Sequence, residues 1–209
     1  MKRRSSGFTL MELMVVLAIA ATIIAIGAPN FNAFRLNGRL TNTANDVLAS
    51  LVTARTDAIK AQVNVSMCAS ANPGATDATC ADGSTVGWIA FRDPDGDCTR
   101  ATSEPIVSSG VFDHSFNSQP MHINKNGNCV SFSPTGFTRT VSGVTMLDHL
   151  LLCDGRGIAP IAGSNSLSAG RGLVIDRTGR SRITRTISGG LADDLNTWDA
   201  TAGVELSCP

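Results

Sequence analysis

The chain has 209 residues, which suits one domain plus an anchoring segment. Its 17 basic and 17 acidic residues balance to zero, which excludes a uniformly basic nucleic-acid binder but leaves a local basic patch open. Charged residues are only 16% of the chain and glycines number 20, a balance that fits a glycine-rich β fold better than a solvated helical one.

The first stretch is Lys2-Arg3-Arg4-Ser5-Ser6-Gly7, running into an apolar segment interrupted once, by Glu12. An ordinary secretory signal places its small-residue cleavage site after the apolar run. Here Gly7 precedes it, so a cut after Gly7 removes the positive charges and leaves the apolar segment on the mature chain. That chain has 14 basic and 17 acidic residues, a net charge of −3. A carboxylate in a membrane span costs about 2.5–3.5 kcal/mol even on gentle scales, so it calls for a partner or a function. The bland alternative is a plain anchor with Glu12 near the interface. The order Gly7-Phe8-Thr9-Leu10-Met11-Glu12 resembles the class III leader of type IV pilins and type II secretion pseudopilins. The resemblance implies cleavage by a prepilin peptidase between Gly7 and Phe8 and N-methylation of Phe8. It also implies that Glu12 pairs with the Phe8 amine of a neighbouring subunit and sets the register of a growing filament.

With Phe8–Met11 included, the apolar run to Ala28 reaches the roughly 20 residues that a bilayer requires. Pro29 would kink or end a helix there, although pilins often carry such a proline and continue. Beyond it, Leu36, Leu40, Ala44, Val47, Leu48, Leu51, Ala58 and Ile59 recur at helical steps. The spacing predicts one helix over 8–62, about 80 Å long, with 8–29 as the membrane and filament core.

From Val63 the period changes to two. Val63, Val65 and Met67 alternate, as do Trp88 and Ala90 against Ile89 and Phe91, which predicts strands. Further strands are predicted at Ile106–Phe112, Met121–Ile123, Val130–Phe132, Met146–Cys153, Gly172–Arg177, Arg180–Ile187 and Val204–Ser207. One long helix followed by short strands is an α+β outline. Gly87-Trp88-Ile89-Ala90-Phe91-Arg92-Asp93-Pro94-Asp95-Gly96-Asp97 resembles the corresponding segment of the FimT/GspH family. Phe132-Ser133-Pro134-Thr135-Gly136 and Leu152-Cys153-Asp154 are similar to later strands of that family. Together with the leader, the resemblance covers most of the chain and implies a minor pilin or pseudopilin with two sheets beneath the N-terminal helix.

Cys68, Cys80, Cys98, Cys129, Cys153 and Cys208 are even in number, widely spaced and follow an export-type N-terminus, which favours disulfides. Spacing does not choose among the possible connectivities. The expected set is Cys68–Cys80 as a local clamp and Cys153–Cys208 at the C-terminus, leaving Cys98–Cys129. A zinc site is the weaker alternative, because there is no C-x-x-C and His114, His122 and His149 lack ligand spacing. Asp93, Asp95 and Asp97 look like the start of a calcium loop, with Glu104 at position 12 counted from Asp93. Gly96 and Pro94 sit wrongly for one, and turn chemistry explains the acids better. No P-loop, nucleophile elbow or H-E-x-x-H occurs, so no catalysis and no cofactor or metal is expected.

Between Gly155 and Ala192 the charged residues are Arg156, Arg171, Arg177, Arg180, Arg182 and Arg185, with Asp176 as the lone acid. Asp176–Arg180 reads as a hairpin turn. Along the next strand Arg180, Arg182 and Thr184 share one face, and Ser181, Ile183 and Arg185 the other. Guanidinium groups grip phosphates bidentately, and Gly179-Arg180-Ser181-Arg182 is similar to the Gly-Arg-x-Arg motif of FimT-type minor pilins associated with DNA uptake. Arg177, Arg180, Arg182 and Arg185 are therefore the candidate DNA-binding residues, for sequence-independent contact with phosphates. Arg39 and Arg55, on the helix, are expected to contribute little. A charged edge strand that discourages aggregation is the competing explanation.

The expectation is a type IV pilin-like α+β protein: leader 1–7, helix 8–62, and a β-rich periplasmic domain over 63–209. It is a FimT-like minor type IV pilin that enters or primes the pilus, with an H-type minor pseudopilin of type II secretion as the alternative. Expected partners are other pilins, the prepilin peptidase, the inner membrane and DNA. The expected placement is single-pass in the inner membrane, with the C-terminal domain periplasmic and the assembled pilus at the cell surface.

Overall fold

The computed structural model describes residues 8–81, 86–112, 115–116, 119–125, 127–158 and 167–186. A single helix, α1, runs from Leu10 to Ala61, and the chain divides into two units, residues 1–38 and 39–209.

In the first unit, Thr9 caps the helix: the Glu12 backbone N–H donates to Thr9 Oγ1 at 3.2 Å. Threonine followed three residues later by glutamate is a helix-start signature, so Thr9 and Glu12 have a local role that the leader motif alone does not reveal. Phe8 (82% exposed), Leu10, Met11, Leu13, Val16, Leu17, Ile23 and Ile24 all present apolar side chains outward. Among the described residues no helix is long and apolar enough to cross a membrane, so the expected span rests on the sequence. Gly7 lies outside the described residues.

In the second unit α1 buries Leu40, Ala44, Val47, Leu51, Ala54 and Ala58, a stripe at steps of three and four that faces a core. Its end is closed by Gln62, which takes a left-handed φ of 56° and donates from Nε2 to the Ile59 carbonyl at 2.6 Å. Ile59 was expected in the stripe but stands 43% exposed. At 100° per residue it falls one step round from Ala58, beyond the width that the sheets cover.

The strands follow in order: β1 (Val65–Ser70), β2 (Gly87–Arg92), β3 (Ile106–Val111), β4 (Ser115–Phe116), β5 (Gln119–Pro120), β6 (His122–Lys125), β7 (Cys129–Phe132), β8 (Thr138–Arg139), β9 (His149–Cys153), β10 (Leu167–Ile175) and β11 (Ser181–Thr186). Among the described residues they form an antiparallel sheet ordered β3-β2-β1-β7-β8, another ordered β11-β10-β9-β6, and the small pair β4-β5. Val65, Met67, Trp88, Ala90, Val130 and Phe132 from the first sheet join Leu150, Leu152, Leu173 and Ile175 from the second around the helix stripe. On the other face of the first sheet, Cys68, Ile89, Phe91, Cys98 and Cys129 form a second core. The alternation read in β1 and β2 thus separates two cores. β8 was not expected, because two residues give no period to read. The expected strand at Val204–Ser207 lies outside the described residues.

Cys68 is bonded to Cys80 and Cys98 to Cys129, with Cα separations of 5.5 and 6.2 Å. Cys68 and Cys129 are also register partners across β1 and β7, so both bridges meet at one place in the sheet. Cys153 is disulfide-bonded as well; its expected partner Cys208 lies outside the described residues.

Candidate nucleic-acid interface

The β10–β11 hairpin pairs Ile175 with Ser181 and Val174 with Arg182. Its turn is closed by Gly179 N–H donating to the Asp176 carbonyl at 2.8 Å and Asp176 N–H donating to the Arg180 carbonyl at 2.9 Å. Gly179 sits at φ 76°, the left-handed position that this kind of tight loop assigns to glycine.

The four candidate arginines separate into two classes. Arg177 and Arg180 are exposed, and among the described residues their guanidinium groups have no hydrogen-bond or ion-pair partner. Arg182 is partly buried and reaches Asp176 Oδ2 at 3.2 Å, a half-exposed pair that contributes about 0–1 kcal/mol. Arg185 donates to the Ser168 carbonyl at 3.4 Å, and its Nε is buried without a partner among the described residues. Ile183, on Arg185's side of the strand, packs on the core, which draws Arg185 inward. The structure therefore brings Arg177 and Arg180 together at the tip and gives Arg182 and Arg185 internal contacts.

Two more arginines of the basic region are held by partners within the fold, Arg171 in the interior and Arg156 half-buried. Arg171 is 3% exposed. It donates from Nη2 and Nε to Thr41 Oγ1 on α1 at 3.0 and 3.2 Å, and from Nη1 to the Ala169 and Gly170 carbonyls at 2.6 and 3.0 Å. Burial, with Arg185 and Arg156 alongside, pushes its pKa down to about 10. Arg156 forks onto the buried Asp154, with Nη2 to Oδ2 at 2.6 Å. No local pattern marks Arg171 as internal, because its side-chain partner Thr41 lies 130 residues away along the chain.

Burial raises the Asp154 carboxyl, but hydrogen bonds and charge from Arg156, with Arg39 nearby, more than offset that and leave it below its ordinary value. Asp57 is lowered too, chiefly by its side-chain hydrogen bonds with Arg92. When the folded value is depressed, the stabilisation is complete above the ordinary carboxylate pKa and disappears as pH falls through the folded one. The melting temperature is expected to fall between about pH 5 and 3, less steeply in Asp154→Asn. Equal slopes in the two proteins would remove Asp154 as a source.

The hairpin tip is held from two sides. Thr138 on β8 donates its backbone N–H and its hydroxyl to the Arg177 carbonyl, each at 3.1 Å. From α1, Arg55 donates Nε to the Gly136 carbonyl at 2.9 Å and Nη2 to the Thr178 carbonyl at 3.0 Å. Arg55, expected to contribute little because it lies on the helix, thus touches the hairpin turn itself: helical sequence position says nothing about the loops that fold back onto that turn. An open groove of about 560 Å³ beside the tip includes Arg139, Asp148 and Arg177. Because it carries both signs of charge, it is a poorer track for phosphate than the tip.

In the acidic loop, Asp93 is wholly buried. Its carboxylate accepts from the backbone N–H of Gly96 (2.8 Å), Asp97 (3.2 Å) and Cys98 (3.1 Å), and from Ser66 Oγ. Oxygens of Asp93, Asp95 and Asp97 lie within 4.8 Å of one another. A hydrogen bond to Asp93 is the main cause that raises the Asp95 pKa, with Asp97's charge adding to it. The Asp93 oxygens are occupied by loop donors, which is the arrangement of a turn.

The family model described as "Type II transport protein GspH" matches residues 43–179. That for the prokaryotic N-terminal methylation motif matches residues 2–28. No curated protein matches. Among solved structures, the type IV minor pilin FimU of Pseudomonas aeruginosa (strain PAO1) is 15% identical, with a TM-score of 0.42, over 72% of this chain and 92% of that one. The first match ends at Gly179, so Arg180 and Arg182 lie just beyond it.

Proposed function

We propose, for a chain that belongs to the type II transport protein GspH family and carries the N-terminal methylation motif, that it is a minor type IV pilin that binds DNA through its β10–β11 hairpin. Cleavage follows Gly7, Phe8 becomes the N-methylated amino terminus, and residues 8–29 anchor the subunit in the inner membrane before assembly. Glu12 pairs with the Phe8 amine of a neighbour, an attraction that strengthens in a low-dielectric layer and so favours one axial register. Other pilins are the structural partners. DNA, held without sequence preference, is the ligand, and natural transformation the process served.

The observation that carries the DNA reading is the pair of exposed guanidinium groups, Arg177 and Arg180, on a turn that Thr138 and Arg55 hold in place. Arginine forks match phosphate geometry, and a fixed turn lowers the ordering cost of binding. The test is duplex-DNA binding by the full chain in mild detergent across a range of salt. The slope of log affinity against log salt is expected near −2 to −3, at about −0.9 per phosphate neutralised. Arg177→Gln with Arg180→Gln removes about two units of it. No binding at low salt, or an unchanged double variant, overturns the reading.

The description of the matched family is also compatible with a second reading, an H-type minor pseudopilin of type II secretion. A deletion strain that loses protein secretion while keeping DNA uptake would establish it in place of the first.

A further inference from the structure

We propose that Arg55 completes a phosphate site at the hairpin tip, so that the helix supplies a third guanidinium beside Arg177 and Arg180. This rests on the DNA reading above and names the group that both positions the tip and adds to its charge.

The placement follows from how two turns meet. Gly136 and Gly179 have φ of 82° and 76°, and a side-chain carbon added at Gly179 would stand 2.1 Å from the Gly136 carbonyl oxygen. Only glycine permits that approach. It brings the carbonyls of Gly136 and Thr178 side by side along one edge of an arginine, which donates Nε to the first and Nη2 to the second. Bracketed this way, Arg55 holds one orientation, and among the described residues its Nη1 makes no hydrogen bond. In the turn that it grips, Arg177 precedes Thr178 and Arg180 follows Gly179, both exposed and without an acceptor among the described residues.

The neighbouring acids are engaged elsewhere. Asp57, two residues along α1, bonds Arg92 through both oxygens, and Asp176 bonds Arg182. Three cations at one turn, one of them with a terminal nitrogen that makes no hydrogen bond among the described residues, fit a phosphate oxygen better than any group present there. A lysine could supply the charge but not both bracket bonds, since its ammonium lacks the planar fork.

The experiment measures salt-dependent duplex-DNA binding by the full chain for wild type, Arg55→Gln and Arg55→Lys, with thermal melts on each. Arg55→Gln is expected to lower the slope by about 0.9, the contribution of one phosphate. Arg55→Lys is expected to keep the slope, because its ammonium still neutralises a phosphate, while affinity falls about three- to tenfold as the rigid bracket is lost. An unchanged slope in Arg55→Gln, whatever its melting temperature, would show a purely structural bracket and overturn the inference. Should wild type bind no DNA, the reading above fails, and the site is judged by inorganic phosphate. A phosphate-dependent rise in melting temperature that Arg55→Gln abolishes supports it, and no such rise in wild type overturns it.

Discussion

Replacing Asp93 with alanine is expected to lower unfolding free energy by about 3–5 kcal/mol, a large part of the stability of an ordinary domain. The carboxylate is wholly buried and receives three backbone N–H groups and the Ser66 hydroxyl. Removing it takes the acceptor from the three N–H groups, while Ser66 Oγ keeps Ser131 Oγ at 2.9 Å, and each stranded buried donor costs about 1–3 kcal/mol. The damage also reaches a covalent element. Cys98 adopts φ 63°, its N–H is one of the three that Asp93 holds, and its sulfur is bonded to Cys129 in β7. Asp93→Asn keeps an acceptor oxygen and is expected to recover roughly half of the loss. Chemical denaturation of the oxidised protein measures both. A midpoint for Asp93→Ala within error of wild type would mean that the loop does not depend on this carboxylate.

Gly179→Ala is expected to cost about 3–4 kcal/mol locally and to weaken DNA binding at least tenfold. A non-glycine residue in the left-handed region carries about 1–2 kcal/mol of strain. The new carbon would also meet the Gly136 oxygen at 2.1 Å, well inside contact distance, so one turn must move off the other. The Arg55 bonds to Gly136 and Thr178 then fail together, at about 1 kcal/mol each. The core strands do not depend on that contact, so hydrogen exchange should rise at 176–180 and 133–138 and remain slow in β1 and β2. Wild-type DNA affinity in a folded Gly179→Ala protein would show that tip placement is irrelevant to binding.

Much of this architecture was legible beforehand wherever a pattern repeats within a few residues. Helical steps from Leu40 to Ala58, alternation along Val65–Met67 and Trp88–Phe91, and the turn at Asp176–Gly179 all emerge from local chemistry. What escaped was short or remote. β8 is two residues long, and the capping of α1 by Thr9 was hidden within a motif read for another purpose.

Within the hairpin the same boundary appears. Sequence alone determined that arginine dominates the stretch, that a turn lies at Asp176–Arg180, and that Arg182 and Arg185 alternate across a strand. Charge composition and period two are local properties, so no knowledge of the fold was needed for them. Tertiary structure decided which arginines remain open. Asp176 occupies Arg182, Thr41 and the Ala169 and Gly170 carbonyls occupy Arg171, and Arg185 turns toward Ser168. It also decided that Arg55 on α1 serves Thr178, 123 residues away along the chain. A guanidinium finds whichever acceptor lies within about 3 Å, and that neighbour is set by how the sheets and turns pack, which no pattern along the chain records.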